Sequence, residues 1–95
     1  MRMLKISPTA LSDIQKGIDY YNIQQKGLGK RFLNAINDTF QKIQNMPQSA
    51  SVAFDTVRYK VIPSFPYIII YEFDDRNIHV FRIFNTYQNP DVLAK

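Results

Sequence analysis

The side chains that could do chemistry in this sequence are three cations and one phenol, all in its second half. Arg58 and Lys60 are separated by one residue, and Arg82 and Tyr87 lie nearer the C-terminus. Guanidinium and ammonium groups stabilise negative charge on a phosphate, and a tyrosine can donate a proton or stack on a base. Ordinary roles are also open, because Arg58 and Lys60 could pair with Glu72, Arg82 could be paired internally, and Tyr87 could simply pack. The residue types indicate an anion contact but do not define a reaction.

The composition excludes several classes of site. The 95 residues contain no cysteine and one histidine, which rules out a thiolate nucleophile, a disulfide framework and a zinc site of the usual Cys/His type. We therefore expect neither a metal nor another cofactor. The length predicts a single domain over residues 1–95. A net charge of +4 and a pI near 9.5 favour an anionic partner, either nucleic acid or an acidic protein.

The location of the protein is predicted from what the sequence lacks. The N-terminus has no apolar run of signal-peptide length, and no segment approaches the roughly 20 apolar residues that a membrane span needs. We therefore expect a cytoplasmic protein that has no membrane partner.

One apolar stretch, from Tyr67 to Tyr71, predicts the central strand of a sheet. It contains only β-branched and aromatic residues and no charge. Alternate residues of a strand point to opposite faces, so both faces of this strand require cover. What covers the second face is left open by the sequence.

Two amphipathic helices are predicted before this strand. Ser7-Pro8 is typical of a helix start, and the first helix should run to about Gln24, with Gly17 marking the close approach of another element. A turn with two glycines, Gly27 and Gly29, leads to a second helix that ends before Pro47. The predicted apolar stripes are Leu11, Ile14, Ile18 and Tyr21 in the first helix, and Phe32, Leu33, Ile36, Phe40 and Ile43 in the second.

Strands are predicted on both sides of this helical hairpin. A short strand from Met3 to Ser7 precedes the helices, and three strands follow them. The first of these begins near Val52 and has one apolar and one basic side. The last runs from Ile78 to Phe84, after the turn at Asp74–Asn77. The predicted fold class is α+β with the order β-α-α-β-β-β, a helical hairpin packed on one face of a mostly antiparallel sheet.

An ordered set of residues covers nearly the whole chain and carries a resemblance to a known family. The set is Ala10, Ile14, Tyr20-Tyr21, Gly27-Leu28-Gly29, Phe32, Ile36, Pro47, Arg58, Phe65-Pro66-Tyr67, Tyr71 and Asn89-Pro90. It resembles the RelE/ParE superfamily of toxins from bacterial type II toxin-antitoxin modules, and most of all the ParE-like, plasmid-stabilisation branch. The resemblance implies a toxin in a hetero-oligomer with an acidic antitoxin, whose flexible C-terminal segment would wrap around it and could cover the second face of the sheet.

The resemblance implies one of two activities. RelE-like members cut messenger RNA in the ribosome, and ParE-like members inhibit DNA gyrase. Metal-independent RNA cleavage would need a base, an acid and phosphate-binding cations, for which the candidates are Arg58, Lys60, Arg82 and Tyr87. The histidine and arginines that commonly follow the family's last strand are replaced here by Asn85, Tyr87 and Gln88. We therefore favour gyrase-type inhibition, with ribosome-dependent RNA cleavage and a non-toxic nucleic-acid or protein-binding domain as alternatives.

A basic cluster at the start of the second helix is a candidate contact surface. Lys26, Lys30 and Arg31 lie where the helix dipole disfavours cations by a few tenths of a kcal/mol. Their position suggests an anionic partner, although a solvated turn is the simpler explanation. Together with Tyr67 and Gln88, they are the predicted contacts to an antitoxin or a target.

Overall fold

A computed structural model describes residues 1–87, which form two helices packed on a five-stranded sheet. The helices are α1 (Pro8–Gln24) and α2 (Leu28–Asn45), with a short 3-10 helix at Pro47–Ser49. The strands are β1 (Met3–Ile6), β2 (Ser51–Phe54), β3 (Val57–Val61), β4 (Tyr67–Phe73) and β5 (Asn77–Asn85). No helix within residues 1–87 is long and apolar enough to cross a membrane.

The sheet has the order β1-β5-β4-β3-β2, so β4 is its central strand as predicted. Only the β1–β5 pair is parallel, which confirms a mostly antiparallel sheet and the α+β fold class. Four strands follow the helices, whereas three were predicted. A turn at Asp55-Thr56 divides Ser51–Val61 into the hairpin β2–β3, and Asp55 adopts a φ of 48° that aspartate tolerates better than most residues.

The start of α1 follows the predicted signals. The Ser7 hydroxyl accepts a hydrogen bond from the Ala10 N–H at 3.0 Å, and Pro8 occupies the first helical turn. The buried stripe differs from the predicted one, because Leu11 is 54% exposed. The helix instead buries its small residues against its neighbours, and the buried residues of α1 are Ala10, Ile14, Gly17 and Tyr21.

The second helix packs on the sheet through a longer apolar stripe. Gly27 has a φ of 86° immediately before α2, a conformation that favours glycine, and α2 ends shortly before Pro47. The predicted stripe is confirmed except at Leu33, which is only half-buried. The buried residues of α2 are Gly29, Phe32, Ile36, Thr39, Phe40 and Ile43.

Both faces of β4 are buried, as the sequence predicts. Tyr67, Ile69 and Tyr71 join the core beneath the helices. On the opposite face, which we call the second face, Ile68, Ile70 and Phe84 form a separate cluster at 8%, 7% and 2% exposure, with Val57 and Tyr59 packed against it. These side chains are buried without a partner chain, so an antitoxin is not required to cover them.

Candidate functional site

A β-bulge determines the position of Arg82. Ile70 of β4 faces Arg82, whereas the next residue, Tyr71, faces Val80, so Phe81 is an extra residue in β5. The Arg82 guanidinium contacts α1, where its Nε lies 2.8 Å from Asp13 Oδ2 and its Nη2 lies 3.3 Å from Oδ1. The hydrogen bond to Asp13 raises the pKa of Arg82 above its ordinary value. Arg82 is thus paired internally with a carboxylate.

Asp13 also closes part of the edge of β5. Strand β1 reaches only to the level of Val80, so the second half of β5 has no strand beside it within residues 1–87. Asp13 Oδ2 accepts the outward-pointing N–H of Ile83 at 3.1 Å. Sequence analysis did not identify Asp13. The available signal was an arginine among apolar strand residues, which needed a carboxylate on a neighbouring element.

A groove with a volume of about 290 Å³ lies between α1 and the second half of β5, and we call it the α1–β5 groove. One wall is helical and carries both charge and an aromatic ring, and the other is the edge of the sheet. Among the residues that line it are Asp13, Lys16, Tyr20, Tyr67, Arg82 and Asn85.

Tyr67 is fixed at the inner end of this groove. Its ring centroid lies 4.8 Å from that of Phe32 and 6.3 Å from that of Tyr21, in a cluster of aromatic residues between the helices and the sheet. Burial raises the pKa of Tyr67 above its ordinary value, and hydrogen bonding to Asn85 offsets only part of this increase. Tyr67 is therefore a neutral phenol near pH 7.

The Arg58 guanidinium is hydrogen-bonded to nearby backbone carbonyls. Its Nη1 donates to the carbonyls of Gln48 at 3.2 Å and Ala50 at 2.8 Å, and its Cζ lies 5.7 Å from the Phe73 ring centroid. The suggested pair with Glu72 is wrong. Arg58 faces Tyr71 on the helical side of the sheet, while the next residue, Glu72, points to the second face and accepts a hydrogen bond from Thr56. Arg58 holds the 3-10 helix against β3.

Lys60 and Tyr87 are less constrained. Lys60 is half-buried opposite Ile69, on the same side of the sheet as Arg58, and pairs with no carboxylate of residues 1–87. Tyr87 follows β5 and is 85% exposed, and its backbone N–H donates to Asn85 Oδ1 at 2.9 Å.

The two candidate catalytic arginines do not share one centre. Arg58 and Lys60 share the helical side of β3, but Arg82 is in register with Ile70, whose neighbour Tyr71 is in register with Arg58. Because neighbouring residues of β4 point to opposite faces, the two arginines leave the sheet in opposite directions. Among residues 1–87, no group of three or more histidine, aspartate or glutamate side chains could hold a metal ion.

The predicted contact residues are also in more than one place. Lys26, Lys30 and Arg31 are exposed around the turn before α2, and none of them is paired with a carboxylate in the described part of the chain. Tyr67 lies in the α1–β5 groove instead. Gln88 is outside the described residues.

Comparisons with known proteins agree with this architecture. A family model described as the ParE toxin of the type II toxin-antitoxin system parDE matches residues 4–90. The solved structure of a chromosomal ParDE toxin-antitoxin system from P. aeruginosa superposes with a TM-score of 0.67 at 20% sequence identity, over 90% of this chain and 96% of that one. No curated protein sequence matches significantly. Because the family model spans most of the sequence, the chain belongs to the ParE family of type II toxins.

Proposed function

We propose that this toxin stops growth by binding and inhibiting DNA gyrase, that it acts in the cytoplasm, and that an acidic antitoxin neutralises it. It does so as a binding protein and cleaves no RNA. The alternative is ribosome-dependent cleavage of messenger RNA by Arg58, Lys60, Arg82 and Tyr87.

The observation that carries this proposal is the separation of Arg58 from Arg82, each of which is bound to a partner within the fold. Cleavage of RNA needs a base, an acid and cations around a single phosphate. Arg58 is bound to two backbone carbonyls beside β3, and Arg82 is bound to Asp13 of α1 at the edge of β5. Releasing both arginines would break charge-assisted hydrogen bonds, each of which contributes on the order of 1.5–3 kcal/mol.

The charge of the chain supports an acidic antitoxin. The net charge is +4, and the exposed turn before α2 presents Lys26, Lys30 and Arg31 without carboxylate partners among residues 1–87. Complementary charge increases the rate at which such partners meet. The P. aeruginosa structure is that of a ParDE toxin-antitoxin system, and by analogy we expect a hetero-oligomer here.

The test is controlled expression in bacteria, with measurements of growth, transcript ends and plasmid supercoiling. We expect growth arrest, altered supercoiling or DNA breaks, and no new codon-positioned transcript ends. In vitro, the purified chain should inhibit supercoiling of relaxed plasmid by gyrase.

The Arg58→Ala/Arg82→Ala double variant separates the two activities, once its folding has been verified by circular dichroism. Codon-positioned transcript ends that disappear in the folded double variant would overturn the gyrase proposal and assign an endoribonuclease. Normal growth on expression of the chain alone would instead indicate a non-toxic binding domain.

A further inference from the structure

Strand β2 is an edge of the sheet whose outer side has no partner. It pairs only with β3, so the N–H and carbonyl groups on its other side meet no strand of residues 1–87. All four of its residues are exposed, Val52 by 54% and Phe54 by 41%. An edge of this kind can be extended by another strand through backbone hydrogen bonds.

The other edges of the sheet are protected from such an addition. Strand β1 contains Lys5 and directly follows Arg2, and charged side chains discourage pairing between edges. The second half of β5 is closed at Ile83 by the carboxylate of Asp13. Strand β2 has no such charge, because it ends the longest uncharged run of the sequence, Ile43–Phe54.

This neutrality favours a second copy of the same chain as the partner of β2. Each copy has a net charge of +4, so two copies repel each other unless they meet through an uncharged surface. An anionic partner would instead be recognised by cations, and β2 has none.

A bulge gives β2 a register in which it can pair with itself. Ser51 and Phe54 both lie on the second face although they are three positions apart, because the register with β3 shifts at Ala53. Two antiparallel copies of β2, related by a two-fold axis, can therefore place Ser51 of each opposite Phe54 of the other. In this register Asp55 lies opposite Ala50, so no two charged side chains face each other across the axis.

We propose that two copies of the free chain associate through β2 and join their five-stranded sheets into one continuous sheet. Phe54 of one copy packs over Ser51 of the other and against its Tyr59, which extends the apolar row of the second face across the axis. Paired strands of four residues bury less than the roughly 1,200 Å² at which stable interfaces begin, so the dissociation constant is expected between about 10 μM and 1 mM. This inference does not depend on the proposed function.

The association is measured by analytical ultracentrifugation of the purified full chain across that range of concentration. We expect the apparent mass to rise from 11.1 kDa toward twice that value. The amide resonances of Ser51–Phe54 should shift over the same range, and their hydrogen exchange should slow. In a mixture of 13C-labelled and unlabelled chains, intermolecular NOEs should connect Phe54 of one copy to Tyr59 of the other.

Two matched lysine substitutions locate the contact. Val52→Lys puts a charge on each of the two paired strands and should weaken the association by at least about tenfold. Met3→Lys makes the same change of net charge on the other edge strand, at a residue that is 63% exposed, and should leave the dissociation constant within about twofold of wild type. Both positions are exposed, and circular dichroism verifies that both variants fold.

The inference is overturned if the chain stays a monomer at the highest concentration, if the concentration-dependent shifts centre on β1 or on the α1–β5 groove, or if both lysine variants weaken the association equally. An end-blocked peptide of alternating valine and threonine tests a different occupant. If this peptide shifts the β2 amides of a chain that stays a monomer, the edge takes a foreign strand and not a second copy.

Discussion

Asp13 connects α1 to β5 through one carboxylate. It accepts hydrogen bonds from the Arg82 side chain and from the Ile83 backbone, and its side chain is only 13% exposed. Among residues 1–87, no strand lies beside this backbone N–H, and no other carboxylate pairs with the Arg82 guanidinium. Three donors thus depend on a single acidic residue.

Replacing Asp13 should therefore destabilise the fold. In Asp13→Asn, an amide oxygen in the place of Oδ2 can still accept two of the three hydrogen bonds, but the charge is lost and the amide NH2 group faces Nη2 of Arg82. We expect the free energy of unfolding to fall by about 1–3 kcal/mol, measured by urea denaturation. Asp19→Asn, on the exposed side of the same helix, is the control and should change it by less than about 0.5 kcal/mol. Equal losses in both variants would contradict the role assigned to Asp13.

Asp74 makes part of the stability depend on pH. The backbone N–H groups of Arg76 and Asn77 each donate to its Oδ1 at 2.8 Å and lower its pKa from 3.8, and His79 near its other oxygen adds a smaller effect. A carboxyl whose pKa is lower in the folded chain stabilises the fold above its unfolded pKa. That contribution is lost as the pH falls through the lower, folded value.

The consequence can be measured by NMR titration of the folded chain. The carboxyl carbon of Asp74 should titrate with a midpoint below 3.8. Asp74→Asn keeps an oxygen that can accept the two backbone hydrogen bonds but has no charge to lose, so its free energy of unfolding should decrease less between pH 5 and pH 3 than that of wild type. The two pH values lie on either side of the ordinary aspartate pKa of about 3.9. An Asp74 midpoint at or above 3.8 would contradict the proposed turn geometry.

At the scale of elements, local signals predicted the helices better than the strands. The serine and proline at the start of α1 and the glycine before α2 act within a few residues, so the sequence alone reveals them. The β2–β3 turn was missed because Asp55 must adopt a positive φ without a glycine or proline to mark it. The bulge at Phe81 was missed because register depends on the neighbouring strand.

Gly17 shows how two elements restrict each other. A Cβ at this position would lie 2.3 Å from Cε2 and 2.9 Å from Cζ of Phe32, a residue of α2 whose side chain is completely buried. This confirms the prediction that Gly17 marks a close approach between elements. Glycine costs α1 about 1 kcal/mol in helix propensity relative to alanine, so a gain in propensity and a steric clash oppose each other here.

We expect the clash to outweigh the propensity. Gly17→Ala should lower the free energy of unfolding by about 1–3 kcal/mol, because an overpacked core must shift a fully buried ring. Ser12→Ala, at an exposed position of α1, has no such neighbour and should raise it by a few tenths of a kcal/mol. In the presence of Phe32→Leu, which shortens the opposing side chain, Gly17→Ala should cost less than it does alone. Urea denaturation of the wild type, the two single variants and the double variant gives this coupling energy. A Gly17→Ala chain as stable as Ser12→Ala would contradict the close packing.

Across the whole molecule, residue type was predictable but residue partners were not. The sequence identified Arg58 and Arg82 as candidate phosphate contacts, yet Arg58 binds backbone carbonyls that any sequence could supply. Arg82 binds Asp13, which is 69 positions away in the chain. Such pairs exist only after the sheet has formed its register and α1 has packed on it. A family pattern can therefore suggest catalytic arginines that the folded chain uses for support.

The second face of the sheet gives the sharpest test of how this toxin is built. Phe84 is 2% exposed there, beside Ile68 and Ile70, although both helices lie on the other side. If this cluster is a true part of the core of the free toxin, Phe84→Ala should lower the free energy of unfolding by about 3–5 kcal/mol in urea, as for other buried phenylalanines.

The control for Phe84 lies on the same face. Val61 is in register with Ile68 but is 61% exposed, so Val61→Ala should cost less than about 1 kcal/mol. A Phe84→Ala loss as small as that of Val61→Ala would mean that the cluster contributes little in the free toxin, and the second face would again become the natural surface for an antitoxin. A large loss means that the free toxin already has two packed faces, so its antitoxin must bind at an edge or a groove.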